Sequence, residues 1–222
     1  MLGRQPKFYE IENYAQYFNV STFDVLNRLR KSIWPFCSKS MLFDDDDNVD
    51  LYGPIWIMLT LIVEIAVVGF INYHIDVATM AIELKGGVLP HYNTAYYSLT
   101  KIARAAFVCI AYFIANPFLI MLLIKYVLMI DEVQFLWLFA IYGYSFTIFV
   151  ITTALNVIPL DWLRWVFLGV SGVVSLMFIW TEMYVLLKNR LKSGITKFVL
   201  VCLLLGASHA IFVLALKKYF LT

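Results

Sequence analysis

Five stretches of this chain are long and apolar enough to cross a lipid bilayer, and they decide which folds are open to it. A hydrocarbon core of about 30 Å needs roughly 20 apolar residues at about 1.5 Å rise each. Runs near residues 54–73, 103–126, 133–157, 160–187 and 196–216 meet that length. Composition points the same way. The chain is 62% hydrophobic and 14% charged, whereas soluble domains run nearer about 45–50% and about 25%. That excess, with a mean hydropathy of +0.80, is too large for one buried core. The sequence therefore predicts an all-α polytopic membrane protein with five transmembrane helices in a compact bundle.

The spacing of the runs adds detail. Runs two and three are separated by little more than "LMIDEV", which predicts a tight hairpin. Run four is long enough to tilt or to leave the membrane at one end. Small residues recur four apart at Ala111 and Ala115, Ser171 and Ser175, and Gly206 and Ala210. That spacing lets helix backbones approach closely. Tryptophans at 56, 137, 162, 165 and 180 stand near proposed span ends, as interfacial belts require.

Lysine and arginine counts set the expected orientation. Eleven lie before span one or in the loops between spans two and three and spans four and five; six lie on the other side. The N-terminus is expected in the cytosol and, after five crossings, the C-terminus in the lumen. The start of the chain lacks the apolar core of a cleaved signal, so the first run is expected to act as an uncleaved anchor. The chain divides into a cytosolic arm, 1–49, and a five-span domain, 50–222. Within the arm, "STFDVLNRLRKSIWPF" reads as an amphipathic helix. Ser21 or Thr22 caps it; Val25, Leu26, Leu29 and Ile33 follow at helical spacing; Pro35 stops it. With Arg28, Arg30 and Lys31 it suits either a membrane surface or partner, or the loops of its own bundle.

Intramembrane polar residues are the candidates for chemistry, because each is costly unless partnered. They are Glu64 in span one, Asn116 in span two, Glu182 in span four and His209 in span five. Glu64 and His209 lie at similar depth and could pair, while Glu182 could reach the interface by snorkelling. Asn116-Pro117 is expected to break and kink span two, a feature transporters use at binding sites and bundles use for packing. Ser208 and His209 are neighbours on one helix and point about 100° apart, too far for a nucleophile–base pair. HExxH and Gly-rich phosphate-loop patterns are absent from the sequence. No enzyme, metal or cofactor is expected. The three cysteines imply no disulfide framework, and a net charge of +2 gives no reason to expect nucleic acid.

Five aspartates, 44–47 and Asp50, stand just before the first span. They lack the glycine turn and spacing of a calcium loop. The run 44–47 reads as a solvated tether, repelled by anionic lipid. Asp50 differs: it stands where a helix start exposes amides, and is expected to cap it. Gly53 permits a sharp bend and Pro54 suits the first helical turn.

At "DLYGPIWI" and "IYGYSFTIFVITTALNVIPLDWLRWV" the chain resembles the Yip-domain family, the Ypt- and Rab-GTPase-interacting membrane proteins of the Golgi and endoplasmic reticulum. Its closest branch carries "DLYGPFWI" before span one, "YGYS" in span three and an "IP…RW" step into span four. "YFNVSTFDVLNRLRKSIWPF" is similar to the arm of that branch, so the resemblance covers roughly residues 14–187. The signature positions carried over are Asp50, Leu51, Tyr52, Gly53, Pro54, Tyr142, Gly143 and Tyr144. The resemblance implies a non-enzymatic trafficking factor of Golgi, endoplasmic reticulum or endosomal membranes. Its implied partners are Rab-type GTPases, other Yip-family proteins in hetero- or homo-oligomers, and membrane lipids. A small-molecule or ion transporter or channel, or a lipid-handling protein, is the alternative.

Overall fold

The computed structural model describes residues 12–37, 49–83, 94–131, 133–188 and 195–220. The acidic run 44–47 and most of the basic loop after Lys188 lie outside the described residues. Every regular element among those described is helical, and five helical stretches are long and apolar enough to span a membrane. The arm holds a short α1 (Glu12–Ala15), α2 (Thr22–Ile33) and a 3-10 turn (Pro35–Cys37). The spans are α3 (Tyr52–Glu83), α4 (Thr94–Tyr126), the pair α5 (Phe135–Ser145) and α6 (Thr147–Leu155), α7 (Asp161–Leu187) and α8 (Ile195–Phe220).

Span three is the central post. Its apolar window is 67% buried, the largest share of the five. Span one packs on α4, α5 and α6; α4 also packs on α5 and α8; α7 closes the ring against α5, α6 and α8. The bulkiest fully buried side chains are aromatic: Phe113, Tyr142, Tyr144, Phe146, Phe149 and Phe178. Along α3 the buried positions Ile57, Met58, Leu61, Ile62, Ile65 and Val68 recur three and four apart, the spacing of one helical face.

Three differences from the sequence expectation have physical causes. First, α3 runs about ten residues past Tyr73. Hydropathy fades at His74 and Asp76, yet no proline or glycine follows until Gly86, so nothing stops the helix. Second, α4 continues as helix on both sides of Asn116-Pro117, and a break that the hydropathy pattern does not announce falls in span three, at Ser145–Phe146. There the Ser145 hydroxyl donates to the Tyr142 carbonyl at 2.7 Å and the Thr147 hydroxyl to the Tyr144 carbonyl at 2.7 Å. The Phe146 amide reaches back only three residues, to the Gly143 carbonyl. Hydroxyls bonding to the local backbone compete with the helix ladder, and one turn tightens. Third, only part of the small-residue pattern is buried. Ser171 and Ser175 are inside, and a Cβ on Gly172 would lie 3.1 Å from Val213 of α8. Ala111, Ala115 and Ala210 are exposed instead.

The arm helix forms as its sequence predicts. Ser21 is extended, its side chain accepts from the Asp24 amide at 3.2 Å, and Asp24 Oδ2 accepts from the Ser21 amide at 3.3 Å. These are the two reciprocal bonds of a capping box. Trp34 closes the helix before Pro35. Val25, Leu29 and Ile33 turn towards the bundle. Leu26, expected with them, is 58% exposed on the outer flank. The helix packs across α5, α6 and α7.

Candidate functional site: an arm-to-bundle junction

Asp50 is the residue on which the arm, span one and span three meet. It stands two residues before the first turn of α3. Its Oδ1 accepts from the Tyr52 amide at 2.7 Å and the Gly53 amide at 3.3 Å. It therefore covers two of the amides that a helix start leaves bare. Its other oxygen receives two further groups. The Tyr144 hydroxyl donates to it, and Arg28 Nη1 of α2 stands 3.0 Å away as an ion pair. The carboxylate side chain has no exposed surface and the arginine side chain is 19% exposed. A buried carboxylate is tolerable only when its lone pairs are met; here three hydrogen-bond donors and one ion-paired guanidinium meet them.

The flanking glycines make the approach possible. A Cβ on Gly53 would overlap the Tyr144 ring and hydroxyl, and a Cβ on Gly143 would overlap the Cα and Cβ of Pro54 and crowd the Phe113 ring. "DLYGP" and "YGY", ninety residues apart, are thus two halves of one contact. Leu51 adds a third tie, its amide donating to the Tyr17 carbonyl of the arm at 3.0 Å. The junction is also deep. Pro54 meets Gly143 beside Phe113, and α4 continues thirteen residues further to Tyr126, roughly 20 Å at about 1.5 Å each. Tyr144 stands nine residues into span three, about 13 Å by the same rise. So α3 starts below the ends of its neighbours, and α2 packs where it is missing.

The intramembrane candidates are placed differently. His209 does not pair with Glu64. Its Nδ1 lies 2.6 Å from the Tyr112 hydroxyl of α4. Both sit among Tyr142, Phe146, Phe149 and Phe212, with the Tyr112 and Phe212 rings stacked at 4.1 Å. Asn116 is buried one turn from Tyr112. Glu64 is half-buried, with one carboxylate oxygen inside and without a hydrogen-bond partner among the described residues. Glu182 is 1% exposed, so it does not reach out to the interface as snorkelling requires. Ser208 donates to the Leu205 carbonyl at 2.8 Å, and no Ser–His pair is assembled.

Sequence reasoning placed Asp50 correctly as a cap but missed its partners. Arg28 had one available signal, since it lies between Val25 and Leu29 on a helix that must bury that face. Tyr112, and the bond from the Asn72 amide group to the Asn156 carbonyl at 3.2 Å, carried none.

The fold and this junction define a five-span, all-helical membrane protein whose N-terminal arm is tied into its bundle. Among curated proteins the chain is similar to the YIPF1 homolog of Dictyostelium discoideum, at 29% identity over 219 residues. The match covers 98% of this chain and 57% of that protein, so the chain spans a little over half the length of this relative. It supports membership of the Yip-domain family. No family model matches the chain, and no solved structure matches it.

Proposed function

We propose that this protein is a non-enzymatic trafficking factor of Golgi, endoplasmic reticulum and endosomal membranes. Its arm, residues 1–49, faces the cytosol and offers the contact surface for Rab-type GTPases. Its membrane domain, residues 50–222, assembles with other Yip-family proteins, and its C-terminus lies in the lumen. The observation that carries this reading is the junction at Asp50. It joins the positions resembling the family signature to Arg28 of the arm, which is what a protein needs if it presents a short peptide arm in a fixed register on a membrane. The similarity to a YIPF1 homolog supports the trafficking class. The transporter alternative draws less support. His209 is engaged by Tyr112, and the interruption in span three packs against span one.

The test is quantitative co-purification from native membranes in mild detergent. Rab-type GTPases and a second multispan family member are expected above a control membrane protein, and the GTPase is expected to weaken when Arg28 is replaced. If neither partner rises above control, this function is wrong.

A further inference from the structure

A groove of about 390 Å³ runs between the arm helix and spans one and three. That lies inside the range of about 300–1,000 Å³ typical of ligand pockets. Val25, Leu29 and Ile33 form one wall; Trp56, Thr60 and Ile151 stand on the others. The two threonines that line it add no polarity. Thr60 donates its hydroxyl to the Trp56 carbonyl at 2.8 Å, and Thr147 donates to the Tyr144 carbonyl at 2.7 Å. Each turns its hydrogen-bonding capacity into its own helix and presents a methyl group. The amides of Tyr52 and Gly53, which also line it, are held by Asp50.

The rims show what the groove opens onto. On the span side, Trp56 is 55% and Ile151 43% exposed, and both belong to membrane-spanning helices. Their exposed faces are therefore lipid-facing. On the arm side, Phe23 and Leu26 are 72% and 58% exposed. Two large apolar groups facing water on one flank would be out of place, so that flank also belongs in lipid. Arg30 is exposed four residues after Leu26, on the same flank. Its apolar stem can lie along the hydrocarbon while the guanidinium reaches the phosphate level.

We propose that this groove is a phospholipid site. One acyl chain lies between α2 and the first turns of α3 and α6, and the headgroup phosphate sits at Arg30. The occupant is a membrane lipid because the groove is lined almost wholly by apolar surface, is open along a lipid-facing rim and has a cation at that rim. The bound chain is the packing that α2 needs on its span-facing side, so lipid occupancy and arm docking are linked.

The experiment uses the full chain in membranes, with p-benzoylphenylalanine in place of Thr60, irradiated and analysed by intact mass. The expected product is an adduct of phospholipid mass. An adduct with a protein chain instead would overturn the proposal. In nanodiscs with a mid-chain diazirine phosphatidylglycerol, labelled peptides should concentrate in α2 and the starts of α3 and α6. Labelling spread evenly over all lipid-facing helices would also overturn it. Thr60→Trp fills the groove from its exposed side without touching the core. It should abolish the concentrated label while thermal unfolding stays near that of the parent; an unchanged label refutes the site. Arg30→Gln should lower the preference for phosphatidylglycerol over phosphatidylcholine by about fivefold, the factor one interfacial cation supplies. No change in that ratio would remove the headgroup half of the proposal.

Discussion

Asp50→Asn isolates the charge at the junction from its shape. An asparagine oxygen still accepts from the Tyr52 and Gly53 amides, so the start of α3 stays capped. The amide group at the other position turns a donor toward Arg28, where the parent has an acceptor at 3.0 Å. The Tyr144 hydroxyl must reverse its role or go without a partner. Breaking one side of a buried pair costs about 3–5 kcal/mol. The lower end applies here, because the cap survives and Arg28 keeps a partly exposed path to water. About 3 kcal/mol is roughly two powers of ten in the equilibrium between docked and released arm. Trypsin reports that equilibrium through cleavage after Arg30 and Lys31 in lipid nanodiscs. Cleavage of Asp50→Asn should be about a hundredfold faster than of the parent, with spans three to five uncut. Adding Arg28→Gln should recover part of the loss, with a coupling of about 0.5–3 kcal/mol expected for groups in contact. If Asp50→Asn is cut at the parent rate, or the two substitutions simply add, the ion pair does not hold the arm.

Other expectations follow from single contacts. Gly143→Ala forces a methyl into the backbone of Pro54 and should destabilise the bundle by about 1–3 kcal/mol in detergent melts. Gly169→Ala, which meets nothing within 4 Å, should gain up to about 1 kcal/mol from helix propensity alone. The Ser21 hydroxyl is the chief cause holding the Asp24 carboxyl below its ordinary 3.8. A depressed carboxyl stabilises the arm helix at neutral pH, and that contribution is lost as pH falls through the folded value. Arm helicity measured by hydrogen exchange should therefore drop on acidification below 3.8, and Ser21→Ala should flatten that dependence. Tyr112→Phe leaves His209 Nδ1 buried without its partner and should cost about 1–3 kcal/mol in the same melts.

How much of this was legible follows the range of the interaction that decides each feature. The spans were readable because lipid selects on length and hydropathy, which are local sums; the observed helices start and end near the expected runs except where α3 continues beyond Tyr73 and α4 begins at Thr94, ahead of Ala103. Ser21 was readable because a capping box closes within three residues. The break at Ser145–Phe146 left a faint local trace, hydroxyls on both sides of one aromatic. The meeting of Gly53 with Tyr144 left none. Each half carries a tyrosine beside a glycine, but only packing reveals that the glycine of one is the space for the tyrosine or proline of the other. For the same reason the Glu64–His209 pairing failed: similar depth in the membrane does not fix which face of a helix a residue occupies, and His209 faces α4.

The charge at Asp50 can be separated from the packing around it. A buried ion pair is weak support for stability, since well-packed apolar replacements often do as well. Arg28→Met with Asp50→Asn and Tyr144→Phe removes the charge and both side-chain donors while keeping acceptors for the Tyr52 and Gly53 amides. Shape is nearly preserved, because methionine follows the arginine stem and phenylalanine the tyrosine ring. Global unfolding should then cost about 1–3 kcal/mol relative to the parent, because the amide nitrogen introduced by Asp50→Asn is buried with no acceptor beside it, while the two apolar exchanges add little. The arm should nevertheless be cut faster, because an apolar contact lets α2 slide along the groove and nothing selects one register. Asp50→Leu in the same background uncaps α3 as well and should cost about 0.5–2 kcal/mol more. If the triple variant keeps its arm as protected as the parent does, then packing by Val25, Leu29 and Ile33 alone fixes the arm. The charge at Asp50 would be dispensable for holding it.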